Sequence, residues 1–168
     1  VSPARFFKHY GPILQRTNAR AGILPYYQQD GQFYFLLGRD ANCEMTDFAG
    51  GPERADATIL DTALREYAQE SGQCAGDFSK LNPRTASDIY YLRWNSYLLI
   101  LVPAQYSAEE CLRRFTDYKP HNPEILAVRW FSYAELQRCI RREDSKHELY
   151  IALRAILAQG LAQWLTLQ

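Results

Sequence analysis

The most constraining feature of the sequence is a double glycine, Gly50-Gly51, followed by a strongly patterned segment from Thr58 to Glu70. Thr58 and Asp61 have the spacing of a helix capping box, and Gly72 stands where a left-handed C-terminal cap belongs. The segment is therefore predicted to be an amphipathic helix that is entered through a glycine turn. Its core-facing residues, at helical spacing, are Ile59, Ala63, Leu64 and Tyr67.

Two carboxylates lie on the opposite face of this predicted helix. Glu66 and Glu70 are four residues apart, so they stack one turn from each other, with Gln69 beside both. Such a like-charge pair destabilises an isolated helix slightly, and a divalent cation between the two carboxylates reverses that effect. A Mg²⁺ site is one interpretation, and a solvated charged face is the other. Arg65 could bind a nearby carboxylate or carbonyl and so orient the preceding loop.

The order of the predicted elements indicates an α/β fold. Asp30-Gly31 is a strong turn signal between two β segments, and Asn95-Ser96 separates two more. We expect one domain over residues 1–168, in which helices cover both faces of a mixed sheet. The expected elements are strands at 21–27, 32–37, 88–94, 97–102 and 124–131, further helices at 107–115, 132–142 and 145–166, a polar loop at 39–45, and an N-terminal arm at 1–19 with one short helix.

Composition and charge argue against several classes of protein. The chain has 19 basic and 19 acidic residues and a formal net charge of zero, which gives no indication of bulk nucleic-acid or membrane-surface binding. Its apolar runs are too short to cross a bilayer. The four cysteines (Cys43, Cys74, Cys111 and Cys139) are widely spaced, which argues against a zinc site or a disulfide framework. They favour reduced thiols in a cytoplasmic protein.

The segment from Gly50 to Gly72 resembles the Nudix box, G-x5-E-x7-R-E-U-x-E-E-x-G-U, where U is a bulky apolar residue. The matching positions are Gly51, Arg65, Glu66, Tyr67, Glu70 and Gly72. Downstream, residues 128–136 are similar to the W-x-x-x-x-E-L ending that is frequent in the family. The resemblance covers roughly residues 20–136 and implies a Nudix-like α/β/α sandwich with a mixed β-sheet.

Three box positions depart from the family pattern. Ala57 stands at the first glutamate of the box, Gln69 at the first of the two adjacent glutamates, and Gln73 at the closing apolar position. A glutamine oxygen can still coordinate a metal, although it carries no charge. In the family the first glutamate helps to orient the arginine, and Glu53 or Asp56 is the candidate to replace it here.

The resemblance implies a Mg²⁺-dependent hydrolase, with Mn²⁺ as an alternative ion, that cleaves a nucleoside diphosphate linked to another moiety. The family's metal ligands correspond to Glu66, Gln69 and Glu70, with Glu70 as the main ligand and Glu66 as a second ligand or the base. Arg65 is the organising residue. A carboxylate from outside the box often completes such sites in the family, and Glu124 is the candidate. An exposed acid at a strand edge is the other interpretation of Glu124.

Substrate contacts are harder to predict from the sequence. Arg20 and Arg39 flank the first predicted hairpin and are candidates to bind substrate phosphates, together with Gly51 in the glycine turn, although solvated arginines are the alternative. The expected substrate is a nucleotide-like or other diphosphate-containing small molecule. A second hypothesis is a non-catalytic Nudix fold that binds a nucleotide or a protein, which the two missing glutamates would fit. The C-terminal helix either covers the core or contributes to a homodimer.

Overall fold

The structure, a computed structural model, describes residues 5–7, 15–16, 18–81 and 89–168. The described residues form a nine-stranded mixed sheet between two layers of helices, which confirms the predicted α/β/α sandwich. The strands are β1 (Arg5–Phe7), β2 (Arg20–Gln29), β3 (Gln32–Asp40), β4 (Glu44–Thr46), β5 (Phe48–Gly50), β6 (Tyr90–Trp94), β7 (Tyr97–Pro103), β8 (Ile125–Ser132) and β9 (Glu148–Leu149). The helices are α1 (Ile59–Ser71), α2 (Ala108–Asp117), α3 (Tyr133–Ile140) and α4 (Ile151–Thr166).

Strand β2 is the centre of the sheet because it pairs along both of its edges. It runs parallel to β7 on one side, with Ile23 opposite Ile100. On the other side its first half pairs with β5 and its second half pairs with β3, both antiparallel. Strand β8 then pairs with β3. This split pairing opens the sheet beside β5 and brings the double-glycine turn next to α1.

Both predicted hairpins and the predicted helix at residues 58–70 are confirmed. Asp30 and Gly31 have φ angles of 52° and 76°, the left-handed values that a two-residue hairpin turn needs. Helix α1 begins after Thr58, where both hydrogen bonds of the capping box with Asp61 are present, at 3.0 and 3.1 Å. It ends at Gly72, whose φ is 62° and whose N–H donates to the Ala68 carbonyl at 3.0 Å.

Helices α1 and α2 cover one face of the sheet, and helices α3 and α4 cover the other. Helix α4 packs against the sheet through Trp164, whose side chain is fully buried. The indole lies edge-on to three rings of the β2–β3 hairpin, with centroids 5.0 to 5.5 Å away. Aromatic pairs in this geometry add to the free energy gained from burial alone. Helix α4 therefore covers the core.

The described residues correct two sequence-based boundaries and add a strand to the N-terminal arm. The helix expected from residue 145 begins at Ile151, because the Asp144 side chain accepts the N–H groups of Lys146 and His147 at 2.7 and 3.2 Å and forms a turn. Residues 148–149 then pair with β4, which occupies part of the expected loop at 39–45. In the N-terminal arm, Arg5–Phe7 is a strand paired with β6, whereas most of residues 1–19, including the place for a short helix, lie outside the described residues.

Of the helices in the described ranges, none has the length and apolarity needed to cross a bilayer.

Candidate active site

Arg65 on α1 is the centre of a network that fastens the preceding loop to the helix. Its guanidinium contacts both carboxylate oxygens of Asp56, with Nε–Oδ1 at 3.1 Å and Nη2–Oδ2 at 2.9 Å. Nη2 also donates to the Gly51 carbonyl at 2.8 Å, and Nη1 donates to Glu66 Oε1 at 2.8 Å. The hydrogen bonds that Arg65 donates to Asp56 and Glu66 raise the pKa of Arg65 above its ordinary value. Arg65 therefore organises the site and has little capacity left to bind a substrate.

Asp56 supplies the carboxylate that Ala57 cannot provide. Its buried side chain also accepts hydrogen bonds from the Glu53 N–H at 2.8 Å and the Thr62 hydroxyl at 3.0 Å. Together with Arg65, these donors hold the pKa of Asp56 at about 2. Glu53, the other candidate, has its carboxylate 3.4 Å from Arg65 Nη1 and is 60% exposed. Asp56 thus binds Arg65, although it stands one residue before the position at which the motif has its glutamate.

The Glu66 carboxylate lies directly against the backbone at position 50. A Cβ at Gly50 would overlap this carboxylate, so a side chain here would displace Glu66 from its contact with Arg65. A Cβ at Gly51 would meet no described atom within 4 Å. The contribution of Gly51 is its carbonyl, which binds Arg65.

Glu70 is buried without a full set of hydrogen-bond partners. Its Oε2 atom has no partner among the described residues. Burial, and after it the nearby carboxylates of Asp47, Glu66 and Glu124, together raise the pKa of Glu70 to about 9, although Arg20 acts in the opposite direction. A buried ionised carboxylate is costly unless a proton or a cation neutralises it. The surroundings of Glu70 therefore favour the binding of a positive species.

Asp47 is a buried acid beside the site that the sequence analysis did not identify. The Tyr97 hydroxyl donates to its Oδ2 atom, and the Thr46 hydroxyl lies 3.3 Å from its Oδ1 atom. Burial raises the pKa of Asp47. A Cβ at Gly22 would clash with this carboxylate. A sequence signal exists, because Asp47 is an acid directly beside the apolar strand residue Phe48 at the entry to the double glycine.

The two candidate phosphate-binding arginines lie in different environments. Arg20 is half-buried, with its guanidinium carbon 5.9 Å from the Tyr97 ring centroid and 5.3 Å from that of Tyr150. Its charge lowers the pKa of both Asp47 and Glu70, which makes it a counter-charge to these acids. Arg39 is exposed on β3. Arg39 is not among the described residues that line the cavity around Glu66, Glu70 and Glu124.

The carboxylate cavity, of about 360 Å³, brings four predicted site residues together: Glu66, Gln69, Glu70 and Glu124. Its opposite wall is the loop between α2 and β8, of which the sequence analysis identified only Glu124. Tyr118 anchors this loop by donating a hydrogen bond to the Gln69 carbonyl at 2.7 Å. The Tyr118 ring also lies where a Cβ at Gly72 would be, so this glycine serves the loop as well as the helix cap.

The donors in this cavity suit a hard divalent cation. They are carboxylate and amide oxygens, which are the ligands that Mg²⁺ prefers, and the unpartnered Glu70 oxygen is available among them. Within the part of the chain that the structure describes, no three His, Cys, Asp or Glu side chains are arranged to hold a metal ion. Glu66 is drawn towards Arg65 instead. The side chains in the cavity that carry suitable donor atoms are Glu66, Glu70 and Glu124, with Gln69 as a neutral donor, and they are not gathered around one point.

The comparison with known proteins agrees with this architecture. The family model of the NUDIX domain matches residues 16–153, so the chain belongs to the NUDIX family. No match to the chain was found among curated proteins.

Several solved structures share the fold at low sequence identity. The NUDIX domain of Shewanella oneidensis NrtR complexed with ADP ribose has 13% identity and a TM-score of 0.56, covering 92% of this chain and 94% of that chain. A binary complex of C. elegans Ap4A hydrolase has 15% identity and a TM-score of 0.52, covering 88% and 97%. An ADP-ribose pyrophosphatase from Streptococcus suis has 19% identity and a TM-score of 0.50, covering 90% and 92%.

Proposed function

We propose that the chain is a divalent-metal-dependent hydrolase that cleaves a diphosphate linkage in a nucleotide-like substrate. The observation that carries the proposal is Glu70, a buried carboxylate with an unpartnered oxygen in a cavity that also contains Glu66 and Glu124. A cation would replace the proton that Glu70 otherwise needs, and it would also attract the phosphates of a substrate.

The protein residues have separate roles in this proposal. Glu70 is the main metal ligand, Glu124 contributes from the opposite wall, and Arg65 fixes the orientation of Glu66. When bound, Mg²⁺ or Mn²⁺ would neutralise phosphate oxygens and lower the pKa of the attacking water. Water adds to one phosphorus, Glu66 accepts its proton if it acts as the base, and the bridging oxygen leaves with the other phosphate. Each reaction consumes one water and splits the substrate into two products, each of which ends in a phosphate.

Gln69 should make the site weaker than one with a full set of carboxylates. Its amide oxygen lies 3.3 Å from Arg65 Nη1 and carries no charge to offset that of a cation. Metal binding should therefore depend on the phosphates of the substrate, which supply further negative oxygens.

The substrate class rests on the similar structures and on the donor chemistry. One of them is a complex with ADP ribose, and another is an Ap4A hydrolase. Both compounds contain phosphoanhydride bonds between nucleoside-bearing or sugar-bearing groups.

We also infer that residues 1–168 form one domain. The four free cysteines favour a cytoplasmic protein.

A catalytically inactive fold that binds a nucleotide is the second candidate. The observation in its favour is Gln69, whose neutral side chain stands where the family has a metal-binding carboxylate. In this case the carboxylate cavity would bind the phosphates through an ion without hydrolysing them.

A substrate panel distinguishes the two candidates. ADP-ribose, diadenosine tetraphosphate and a nucleoside triphosphate are incubated with the protein and Mg²⁺ or Mn²⁺, and the products are identified by mass spectrometry. Hydrolysis that disappears in Glu70→Gln and persists in Glu109→Gln, a matched change of an exposed acid on α2, supports the enzyme. Metal-dependent binding of a panel compound without any turnover would support the binding protein. Turnover in Glu70→Gln within a factor of two of the wild-type rate would show that the site is wrongly assigned.

A further inference from the structure

An apolar groove lies between helix α2 and the beginning of strand β8, with a volume of about 470 Å³. Its walls include Leu112 and Phe115 from the helix and Leu126 and Val128 from the strand, and we call it the α2–β8 groove. Leu112 is 41% exposed and Leu126 is 49% exposed. Large exposed apolar side chains that line one concave surface are typical of a ligand-binding site.

The α2–β8 groove adjoins the carboxylate cavity. Tyr118, Pro120 and Pro123 line both of them, so the two share the loop that leads to Glu124 as a common rim. The hydrogen bond from Tyr118 to the Gln69 carbonyl holds this rim against α1. A molecule bound by its phosphates at the carboxylates can therefore extend over the rim into the groove.

The size and charge of the groove fit part of a small anionic molecule. Its volume lies within the range of small-molecule sites, roughly 300–1,000 Å³. Lys119, an exposed cation on the rim, also lines the groove and would attract a compound that carries phosphates. Apart from Lys119, Thr116 and the Tyr118 hydroxyl, the lining is apolar, so the group that enters the groove itself should be apolar.

We propose that the α2–β8 groove binds an apolar alkyl or aryl substituent of the organic diphosphate whose phosphates are held at the carboxylates. This inference rests on the proposed function, and it narrows the substrate class to diphosphates with one apolar end. Burial of each pair of methylene groups in such a groove strengthens binding roughly tenfold.

The test compares methyl diphosphate with hexyl diphosphate in the presence of Mg²⁺. Binding is measured by calorimetry, and hydrolysis is measured by phosphate release. We expect hexyl diphosphate to bind at least tenfold more tightly than methyl diphosphate. Leu126→Gln and Leu112→Gln should each reduce this preference at least threefold, because a polar amide then lines the groove. Ile151→Gln, a matched change of a leucine-sized side chain that is 65% exposed on α4, should leave it unchanged.

The outcomes separate this inference from the proposed function. A hexyl preference that Leu126→Gln weakens supports the groove whether or not either compound is hydrolysed, because the nucleotide panel separately tests the hydrolase. Equal affinity for the two compounds with hydrolysis of both supports the hydrolase and overturns the groove. A preference that survives both leucine variants also overturns the groove. So does a halving of the sedimentation mass in Leu126→Gln, because the groove would then be the contact between two copies of the chain.

Discussion

The Tyr118 hydroxyl donates a hydrogen bond to the Gln69 carbonyl at 2.7 Å. This contact joins the loop before β8 to helix α1, so it sets the distance across the carboxylate cavity. Gly72 makes it possible, because any side chain at that position would overlap the tyrosine ring.

Tyr118→Phe should weaken metal binding without disrupting the fold. The ring keeps its place over Gly72, and the loss of one hydrogen bond should lower the free energy of unfolding by about 1 kcal/mol. The loop that carries Glu124 is then less tightly held, and we expect Mg²⁺ affinity to fall several-fold in a calorimetric titration. Tyr106→Phe is the matched control, because Tyr106 precedes α2 and its ring packs against Arg114. Identical Mg²⁺ titrations for wild type and Tyr118→Phe would contradict an anchoring role.

Glu70→Gln should change how stability depends on pH. The pKa of Glu70 is about 9 in the fold and about 4.5 when unfolded, so the folded state binds more protons between these values. The stability from the protonated form is fully present below pH 4.5 and is lost as the pH rises through 9. In EDTA, the wild-type Tm should therefore fall over this window, and that of Glu70→Gln should fall less.

The same variant separates proton binding from metal binding. At pH 8, Mg²⁺ should raise the Tm of the wild type, because the cation takes the place of the proton. Glu70→Gln should respond weakly to Mg²⁺, whereas Glu109→Gln should respond like the wild type. Parallel pH curves for wild type and Glu70→Gln in EDTA would show that this carboxylate is not perturbed.

Asp56→Asn should destabilise the protein and lower its affinity for Mg²⁺. Asp56 has a pKa of about 2 in the fold and 3.8 when unfolded, so its stabilising effect is present above pH 3.8 and is lost as the pH falls through 2. Loss of its charged hydrogen bonds to Arg65 should lower the free energy of unfolding at pH 7 by about 2 kcal/mol in a urea titration.

Glu53→Gln is the comparison for Asp56→Asn, because Glu53 contacts the same arginine from an exposed position. Its effect should be under about 1 kcal/mol, as for surface ion pairs generally. Mg²⁺ affinity should fall clearly in Asp56→Asn and little in Glu53→Gln. Unchanged Mg²⁺ titrations in both variants would remove the hypothesis that these acids support the metal site.

Gln69→Glu should strengthen metal binding. The added charge faces the carboxylate cavity, where Mg²⁺ prefers anionic oxygen, so we expect affinity to rise several-fold. Without metal, the added charge lies beside Glu66 and Glu70 and should lower the Tm slightly. A Mg²⁺ titration and melting curves in EDTA test both effects. Affinity equal to or weaker than the wild type would indicate that the new carboxylate pairs with Arg65 and does not bind the ion.

The parts of the site that were predictable from the sequence are those that depend on local spacing. Arg65, Glu66 and Glu70 follow from one helix, and its caps at Thr58 and Gly72 are fixed by residues three or four positions away. These features are set by backbone geometry that repeats every 3.6 residues.

The contacts that escaped prediction join distant parts of the chain. Tyr118 meets Gln69 across 49 residues, and Tyr97 meets Asp47 across 50. Such pairs depend on the order in which the strands pair and on which loop packs against which helix, and no local periodicity encodes them. Asp56 was one of two candidates because the path of a loop decides which acid reaches Arg65.

The Arg65 network also has a kinetic consequence. The backbone at Gly51 and the side chains of Asp56 and Glu66 are joined to one guanidinium by the fold itself. The loop is thus ordered when the chain folds, and its conformational entropy has already been lost before an ion arrives. Ion capture should then be limited by diffusion and dehydration, with little rearrangement of the loop, and should show a single fast phase in stopped-flow measurements.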